Sequence, residues 1–409
     1  MATAAPPAPA GPAHVATVSF VASRAAPTGG FWIALAGGVA LARVSQRTGA
    51  RQGFGASLAA VLETVAIMGP ARFAVPLTQA ITAPLLGRLE ARGTPLPLQL
   101  LACAAIRLLH NAATTAFFIW VITGGLDAYA GTYDALAGRV GLNVNTTTAL
   151  LVTAAGLLAW AAFASTVQVL VYRRGLRNWP AEEHGEAAAA EPERPAATPT
   201  TTRARFDPRL VAGAAGVAFV LLLAGTEWPL LAAVAAWLAL AWALSRADPG
   251  PVPTGLALAA LIAGSALLFT LGGGLGLDIA LRRTARAALL VLVATWLRAA
   301  AGADGLREVS RRALGRLRRL PSLPEAVRTL DGIGSERSLL AAGRSLTESL
   351  SGVRKRPRPV VDAVLGWVVS ESASVRPTQA APRRALRVRA PDLALVALAA
   401  TPALTLVAG

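Results

Sequence analysis

Long apolar stretches alternate with short arginine-containing ones along most of the chain. In the first half, apolar segments run over residues 30–43, 54–69, 73–87, 97–123 and 147–172. Four more follow at about 210–225, 229–245, 254–272 and 284–302, and a last one begins at Pro391. A spanning helix needs about 20 apolar residues. The pattern predicts an all-α, polytopic helical membrane protein, with about ten transmembrane helices in two bundles.

The composition leads to the same class of protein. Of the 409 residues, 54% are apolar, and the mean hydropathy is +0.53. Such a chain has too few polar residues to cover a soluble globule of this size. The single cysteine, Cys103, excludes an internal disulfide and leaves no cysteine-based metal site. We therefore expect neither a metal nor a cofactor.

Most of the formal net charge of +17 lies in one block, from about Arg298 to Arg389. Eighteen arginines and Lys355 stand there against eight acidic residues. The positive-inside tendency places such a block at the cytoplasmic surface of a multi-pass protein of the cell membrane. Its position between apolar segments favours a face for anionic lipid or a cytoplasmic partner, and it argues against nucleic-acid binding.

The same patterns divide the chain into four parts. Residues 1–28, rich in alanine and proline, are expected to form a disordered tail outside the cell. Residues 29–178 form a first membrane domain, in which residues 124–148 are an external loop. Residues 179–205, where glutamates alternate with Ala, Pro and Thr, predict a flexible cytoplasmic linker. Residues 206–409 form a second membrane domain, with amphipathic cytoplasmic helices at about 303–389.

Ionisable residues within apolar segments are candidate functional residues, because burying a charge in hydrocarbon costs several kcal/mol unless it is paired or faces a cavity. The candidates of the first half are Glu63, Arg107, His110 and Asn111, with Gln79. One interpretation is a ligand cavity that these side chains line. The other is a Glu63–Arg107 pair that holds two helices together, with His110 hydrogen-bonded inside the bundle.

Two local patterns concern the second half. Asp207 is expected to cap a helix that starts at Pro208, with Arg209 anchoring its cytoplasmic end. Three arginines, Arg282, Arg283 and Arg286, would begin a span at its outer end, against the charge rule. Either that helix is partly buried against protein, or its boundary lies elsewhere.

Residues from about 205 to 409 resemble the transmembrane T component of energy-coupling factor (ECF) transporters for vitamins and metals. The resemblance rests on ordered features: Asp207-Pro208-Arg209, Gly276-Leu277 with Arg282 and Arg286, the pattern from Gly305-Leu306-Arg307 to Arg318-Arg319-Leu320 followed by proline, and Arg389-Ala390-Pro391-Asp392. It does not cover the first half, which is a candidate for a fused substrate-binding S component.

The resemblance implies a non-catalytic subunit. Its cytoplasmic coupling helices would bind two ABC-type ATPase subunits through arginine-centred motifs, and its membrane part would hold the S component. By position the motifs are Gly343-Arg344-Ser345 and Val375-Arg376-Pro377. Alternatively, Arg344 and Arg376 are ordinary solvated or lipid-facing arginines. The chain has no phosphate-binding loop of the Walker type, so any ATPase would be a separate polypeptide.

Two other function classes remain open. A secondary transporter or channel would use Glu63 and Arg107 as pathway residues and would need no ATPase. A membrane anchor would use the basic block to recruit lipid or an acidic partner. No arrangement of serine, cysteine or histidine suggests catalysis, so we expect no enzymatic activity.

Overall fold

The structure is a computed structural model. It describes the chain except for residues 1–8, 26–29, 73–76, 181–205, 246, 275, 318, 335, 355, 375–388 and 405–409. The described residues contain helices and no strand. The helices are α1 (Ala10–Ala25), α2 (Gly30–Thr48), α3 (Ala50–Met68), α4 (Leu77–Ala91), α5 (Leu96–Phe117), α6 (Leu126–Gly138), α7 (Thr146–Arg177), α8 (Pro208–Ala224), α9 (Trp228–Leu244), α10 (Val252–Gly272), α11 (Leu277–Arg316), α12 (Leu323–Gly332), α13 (Glu336–Leu350), α14 (Pro357–Ser374) and α15 (Ala390–Ala400).

Each apolar segment predicted from the sequence contains a helix, which confirms the all-α class. Among the residues that the structure describes, four helices are long and apolar enough to cross a membrane: α5 with its π-helical extension (Phe118–Thr123), α7, α10 and α11. Large apolar side chains such as Leu109 and Leu151 are exposed on the first two of them. Helices whose outer faces are apolar fit a hydrocarbon environment. The protein is therefore a helical, membrane-associated protein.

Helix α1 corrects the expectation of a disordered tail over residues 1–28. Residues Ala10–Ala25 form a helix, in which Val15 and Phe20 are fully buried. Composition was misleading here because alanine is also the best helix former, and a proline in the first turn, Pro12, does not interrupt a helix. Small residues let α1 approach α2 closely, since a Cβ added at Gly37 would lie 2.3 Å from Ser19 Cβ.

One further element differs from the predictions. The expected external loop over 124–148 contains α6, which packs on α10 through a hydrogen bond of 2.6 Å from Thr132 Oγ1 to the Phe269 carbonyl. The stretch of about 303–389, for which the sequence predicts amphipathic helices, contains the end of α11 and the helices α12, α13 and α14. Gly332 is the last residue of α12.

Two hydrophobic cores organise the described residues, and they do not follow the order of the chain. The first core contains side chains of the helices α1 through α5 and of α7. Apolar side chains of α12, α13 and α14, such as Leu330, Leu346 and Val364, complete it. The second core joins α8, α9, α11 and α15 around Trp237 and Trp296. The helices of the basic block therefore pack on the N-terminal part of the protein.

The three arginines at the start of α11 are partly buried against protein, as one of the two sequence-based alternatives required. Arg283 donates to the carbonyls of Thr123 and Gly124, the latter at 3.0 Å, and Arg286 donates to the Val121 carbonyl. Arg282 pairs with Glu227 at 2.8 Å and with Asp278. Arg283 and Arg286 thus donate to carbonyls at the end of the π-helical extension of α5. These carbonyls lie at a helix end, where no following turn supplies N–H donors for them.

The two motifs that flank the second half meet in space. Asp207 caps α8 by accepting from Arg209 N at 3.0 Å, as predicted. The buried Asp392, at the start of α15, accepts from Asp207 N at 2.9 Å. Pro208 lies against Gly305 of α11, where an added Cβ would come within 2.8 Å of Pro208 Cγ. The starts of α8 and α15 are therefore fixed beside the middle of α11.

Candidate functional site

The central polar contact of the molecule is an ion pair between α3 and α11. Glu63 is fully buried on α3, and both of its carboxylate oxygens accept from Arg307, with Nε to Oε2 at 2.7 Å. Arg307 Nη2 also donates to the Gly334 carbonyl, between α12 and α13, at 3.0 Å. Bidentate, charge-assisted hydrogen bonds of this kind fix relative orientation as well as distance. Arg307 thus holds three segments together.

A second arginine of α11 binds the same helix. Arg298 donates from Nε to the Ile67 carbonyl at 2.8 Å, near the end of α3, and its Nη2 pairs with Glu336 of α13 at 3.0 Å. Between Arg298 and Arg307 the helical geometry of α11 is interrupted at Gly302, where its two helical parts meet at a bend; the φ of 71° and ψ of 167° of Gly302 are open only to glycine. Helix α11 is therefore attached to α3 on both sides of its bend.

These contacts define the α3–α11 joint: Glu63, Arg298, Arg307, Gly334 and Glu336. Buried His14 of α1 packs on it, because a Cβ added at Gly334 would lie 3.1 Å from His14 Cε1 and Nδ1. Burial and the nearby Arg307 charge lower the pKa of His14 to about 4. Burial raises the pKa of Glu336 above its ordinary value, although Arg298 acts in the opposite direction.

A second polar cluster lies between α4, α5 and α7. On α5 the buried residues are Gln99, Cys103 and Arg107, spaced by four residues, while the remainder of the helix is more exposed. Such spacing places them along one face of the helix. Helix α5 is thus polar inside the protein and apolar outside, which is the arrangement of a helix that contacts lipid.

Arg107 is the charged centre of this cluster, which we call the Arg107 cluster and define as Thr82, Cys103, Arg107, Ser165, Gln168 and Tyr172. Arg107 Nη2 donates to Gln168 Oε1 at 2.6 Å, and Gln168 Nε2 donates to Thr82 Oγ1 at 2.6 Å. Cys103 Sγ also donates to Gln168 Oε1, at 3.3 Å. All six side chains are buried. Gln168 lies on α7 and thereby connects this helix to both α5 and α4.

The structure separates residues that the sequence grouped together. The Glu63–Arg107 pair is wrong: Glu63 binds Arg307, and Arg107 binds Gln168. Gln79 accepts from its neighbour Thr78 at 2.9 Å. His110 is half-buried, and Asn111 continues the polar face of α5 with a buried amide nitrogen that has no partner among the described residues. The cavity lined by all five is therefore not formed.

The resemblance implies two coupling arginines, Arg344 and Arg376. Arg344 is exposed in the middle of α13, a helix of 15 residues, and not at a helix end. Arg376 lies outside the described residues.

A basic groove lies between the last turns of α11 and the start of α12. It is open to solvent, with a volume of about 430 Å³, and its lining includes Arg311, Arg312, Arg316 and Arg328. Arg311 pairs with Asp331 at 2.6 Å, and Arg312 with Glu308 at 2.5 Å. Arg316 and Arg328 are exposed to solvent. The groove is thus a positively charged concave surface on the basic block.

Sequence reasoning missed Arg307, Arg298 and Gln168. The partner of Glu63 lies 244 residues away, and no pattern within one helix identifies it. A usable signal existed for the Arg107 cluster, because Gln99, Cys103, Arg107 and Asn111 follow one another at four-residue spacing.

Comparison of the chain with protein-family models, with curated proteins and with solved structures finds no match. Across the residues that the structure describes, no group of three or more His, Cys, Asp and Glu side chains could hold a metal ion.

Proposed function

We propose that this protein is a non-catalytic membrane subunit that couples a cytoplasmic ATPase partner to its membrane helices, in the manner of the T component of an ECF-type importer of a vitamin or metal ion. The observation that carries the proposal is the α3–α11 joint. Helix α11 combines an apolar first part, long enough to cross a membrane, with a basic end that lines the groove. A force applied to the basic end reaches α3 through Arg307 and Glu63.

The surface helices provide the other half of the argument. Helices α12 to α14 pack on α1, α2 and α3 through apolar side chains, so they move with the joint. They carry Arg344, and α11 and α12 carry Arg316 and Arg328, all exposed. Arginines bind carboxylates in a bidentate manner that transmits a rigid-body movement. An acidic surface of an ATPase subunit is the partner that this face fits.

The test is affinity purification of the full chain from its own host in mild detergent, followed by mass spectrometry. We expect ABC-type ATPases to accompany the parent protein and to be lost from Arg344→Glu. A matched control is Arg139→Glu, which reverses an exposed arginine between α6 and α7, away from the basic block.

Two other outcomes decide between alternatives. If Arg344→Glu retains the ATPases and Arg316→Glu with Arg328→Glu loses them, the partner binds in the basic groove and not through the motif that the resemblance implies. If no ATPase accompanies even the parent protein, the coupling function is contradicted, and a membrane anchor with a basic face becomes the better account. Proton- or sodium-driven uptake by the purified chain alone would favour a secondary transporter.

A further inference from the structure

Arg107 is a buried positive charge without a negative partner. Its relative exposure is 3%, and its guanidinium donates to the neutral amide of Gln168. No carboxylate of the described residues forms an ion pair with it. An isolated charge is strongly disfavoured in a buried site, and in membrane proteins such residues are paired or contact a cavity or an ion path. The site as described therefore lacks a negative charge.

Several hydrogen-bond donors around Arg107 are also unsatisfied. Within the described part of the chain, Arg107 Nε, Ser165 Oγ and Tyr172 Oη are buried and form no hydrogen bond of ordinary geometry, although Ser165 lies near Cys103 and Tyr172 near Gln168. Cys103 and Tyr172 lie close enough to interact electrostatically with Arg107. These groups come from α5 and α7. Buried polar groups of proteins normally have partners, so several unsatisfied ones around a single charge indicate a missing ligand.

We propose that the Arg107 cluster binds a small monovalent anion, such as chloride. The unsatisfied atoms are an N–H group and two hydroxyls, all able to donate, and the only carbonyl among the six side chains, that of Gln168, already accepts from Arg107 and Cys103. A ligand that only accepts hydrogen bonds and carries one negative charge satisfies both requirements. The proposal is independent of the ATPase partner.

The surroundings limit the size of the anion. All six side chains of the cluster are buried, so no open surface admits a large molecule. The Tyr172 hydroxyl of the cluster lies against Gly38 of α2, where an added Cβ would come within 1.8 Å of the oxygen. Any side chain at Gly38 would displace Tyr172. The packing thus favours a halide over an organic carboxylate.

The experiment uses the full-length protein in detergent at a constant ionic strength of about 0.15 M, with chloride replacing the bulky anion gluconate in steps. Two quantities are measured: the apparent melting temperature, and the line width of chlorine nuclear magnetic resonance, which broadens when chloride binds. For the parent protein we expect a saturable rise in melting temperature by several degrees, with broadening that saturates over the same concentrations.

Variants assign the effect to the cluster. Arg107→Met removes the charge and keeps much of the volume, and we expect it to abolish both chloride effects. Tyr172→Phe removes one oxygen only, and we expect several-fold weaker chloride binding with an unchanged fold. This second variant carries the test alone if Arg107→Met gives no folded protein. Arg139→Met, at an exposed arginine, is the matched control and should behave as the parent.

Three results would overturn the proposal. Without a saturable chloride effect in the parent protein, water molecules and not an anion occupy the site. Chloride dependence that persists in Arg107→Met would place the anion elsewhere on the protein. A chloride effect in Tyr172→Phe equal to that of the parent would show that the Tyr172 hydroxyl does not bind the anion, against the site as proposed.

Discussion

Two arginines of the described interior, the buried Arg107 and the mostly buried Arg307, stand in opposite electrostatic situations. Arg307 binds both carboxylate oxygens of Glu63 and a backbone carbonyl, so its charge is compensated. Arg107 binds a neutral amide and retains an unsatisfied Nε–H. A compensated pair of this kind fixes the arrangement of helices, whereas an uncompensated charge requires a ligand. The predictions below test this difference.

The largest effect is expected from breaking the compensated pair. Glu63→Gln keeps the shape of the side chain and removes its charge, which leaves the mostly buried Arg307 without the carboxylate that it binds through two hydrogen bonds. We expect the free energy of unfolding to decrease by about 3–5 kcal/mol. Denaturant unfolding of the detergent-solubilised protein measures it.

The control removes both charges. The double variant Glu63→Met with Arg307→Met should regain most of the lost stability, because a buried ion pair can be replaced by apolar side chains at little cost. A double variant as unstable as the single one would show that the pair contributes through more than its charges.

His14 beside the joint gives a pH dependence of somewhat smaller size. Its pKa is about 4 in the folded protein against an ordinary value of 6.5. Between these values the unfolded chain binds a proton that the folded protein does not, so stability is complete above the ordinary pKa and is lost as pH falls towards the folded value. The difference between the two pKa values limits this loss of stability to about 3 kcal/mol.

The comparison of the parent with His14→Gln isolates this contribution, because the charged residues around His14, namely Glu63, Arg298, Arg307 and Glu336, are the same in both proteins. Unfolding free energies measured at neutral and mildly acidic pH should diverge, with the parent losing more stability. Parallel curves for the two proteins would show that His14 is solvated and not buried against Arg307.

The bend of α11 should be sensitive to a side chain. Gly302→Ala places a Cβ in a backbone conformation that only glycine adopts freely, and we expect a loss of about 1–3 kcal/mol. Gly315→Ala is the matched control on the same helix. It has open space for a Cβ and no positive φ, so it should be neutral or stabilising by about 0.5–1 kcal/mol. Equal effects of the two changes would contradict a fixed bend at Gly302.

The smallest effect on stability is expected at the uncompensated arginine. Arg107→Met removes a charge that no protein carboxylate stabilises, so in low chloride the free energy of unfolding should decrease by no more than about 1 kcal/mol. The same unfolding measurement applies. A loss as large as that of Glu63→Gln would show that Arg107 has a compensating partner within the protein.

The sequence predicted those helices that one strong local pattern marks. Apolar runs of sufficient length located the helices, and Asp207 before Pro208 predicted a cap that the structure contains. Helix α1 was missed because alanine and proline together suggested disorder, although the prolines lie before the helix, in its first turn or beyond its end. Helix α6 was missed because its 13 residues are short and are surrounded by turn-forming ones.

The candidate site was predictable only in part. Glu63 and Arg107 were correctly singled out as unusual, since each is an ionisable residue in an apolar segment. Their partners were not predictable, because Arg307 lies in the other half of the chain and Gln168 carries no charge. Pairing between distant segments depends on how helices pack, and a single sequence contains no direct signal of it.

The measurement that tests the joint most directly is hydrogen–deuterium exchange of the full-length protein, comparing the parent with Glu63→Gln and with the Met–Met double variant. The account predicts that Glu63→Gln accelerates exchange in α12 and α13 as well as in α3. The double variant should accelerate exchange in these helices less than Glu63→Gln does. Unchanged protection of α12 and α13 in Glu63→Gln would contradict a mechanical link between the basic surface helices and the buried end of α3.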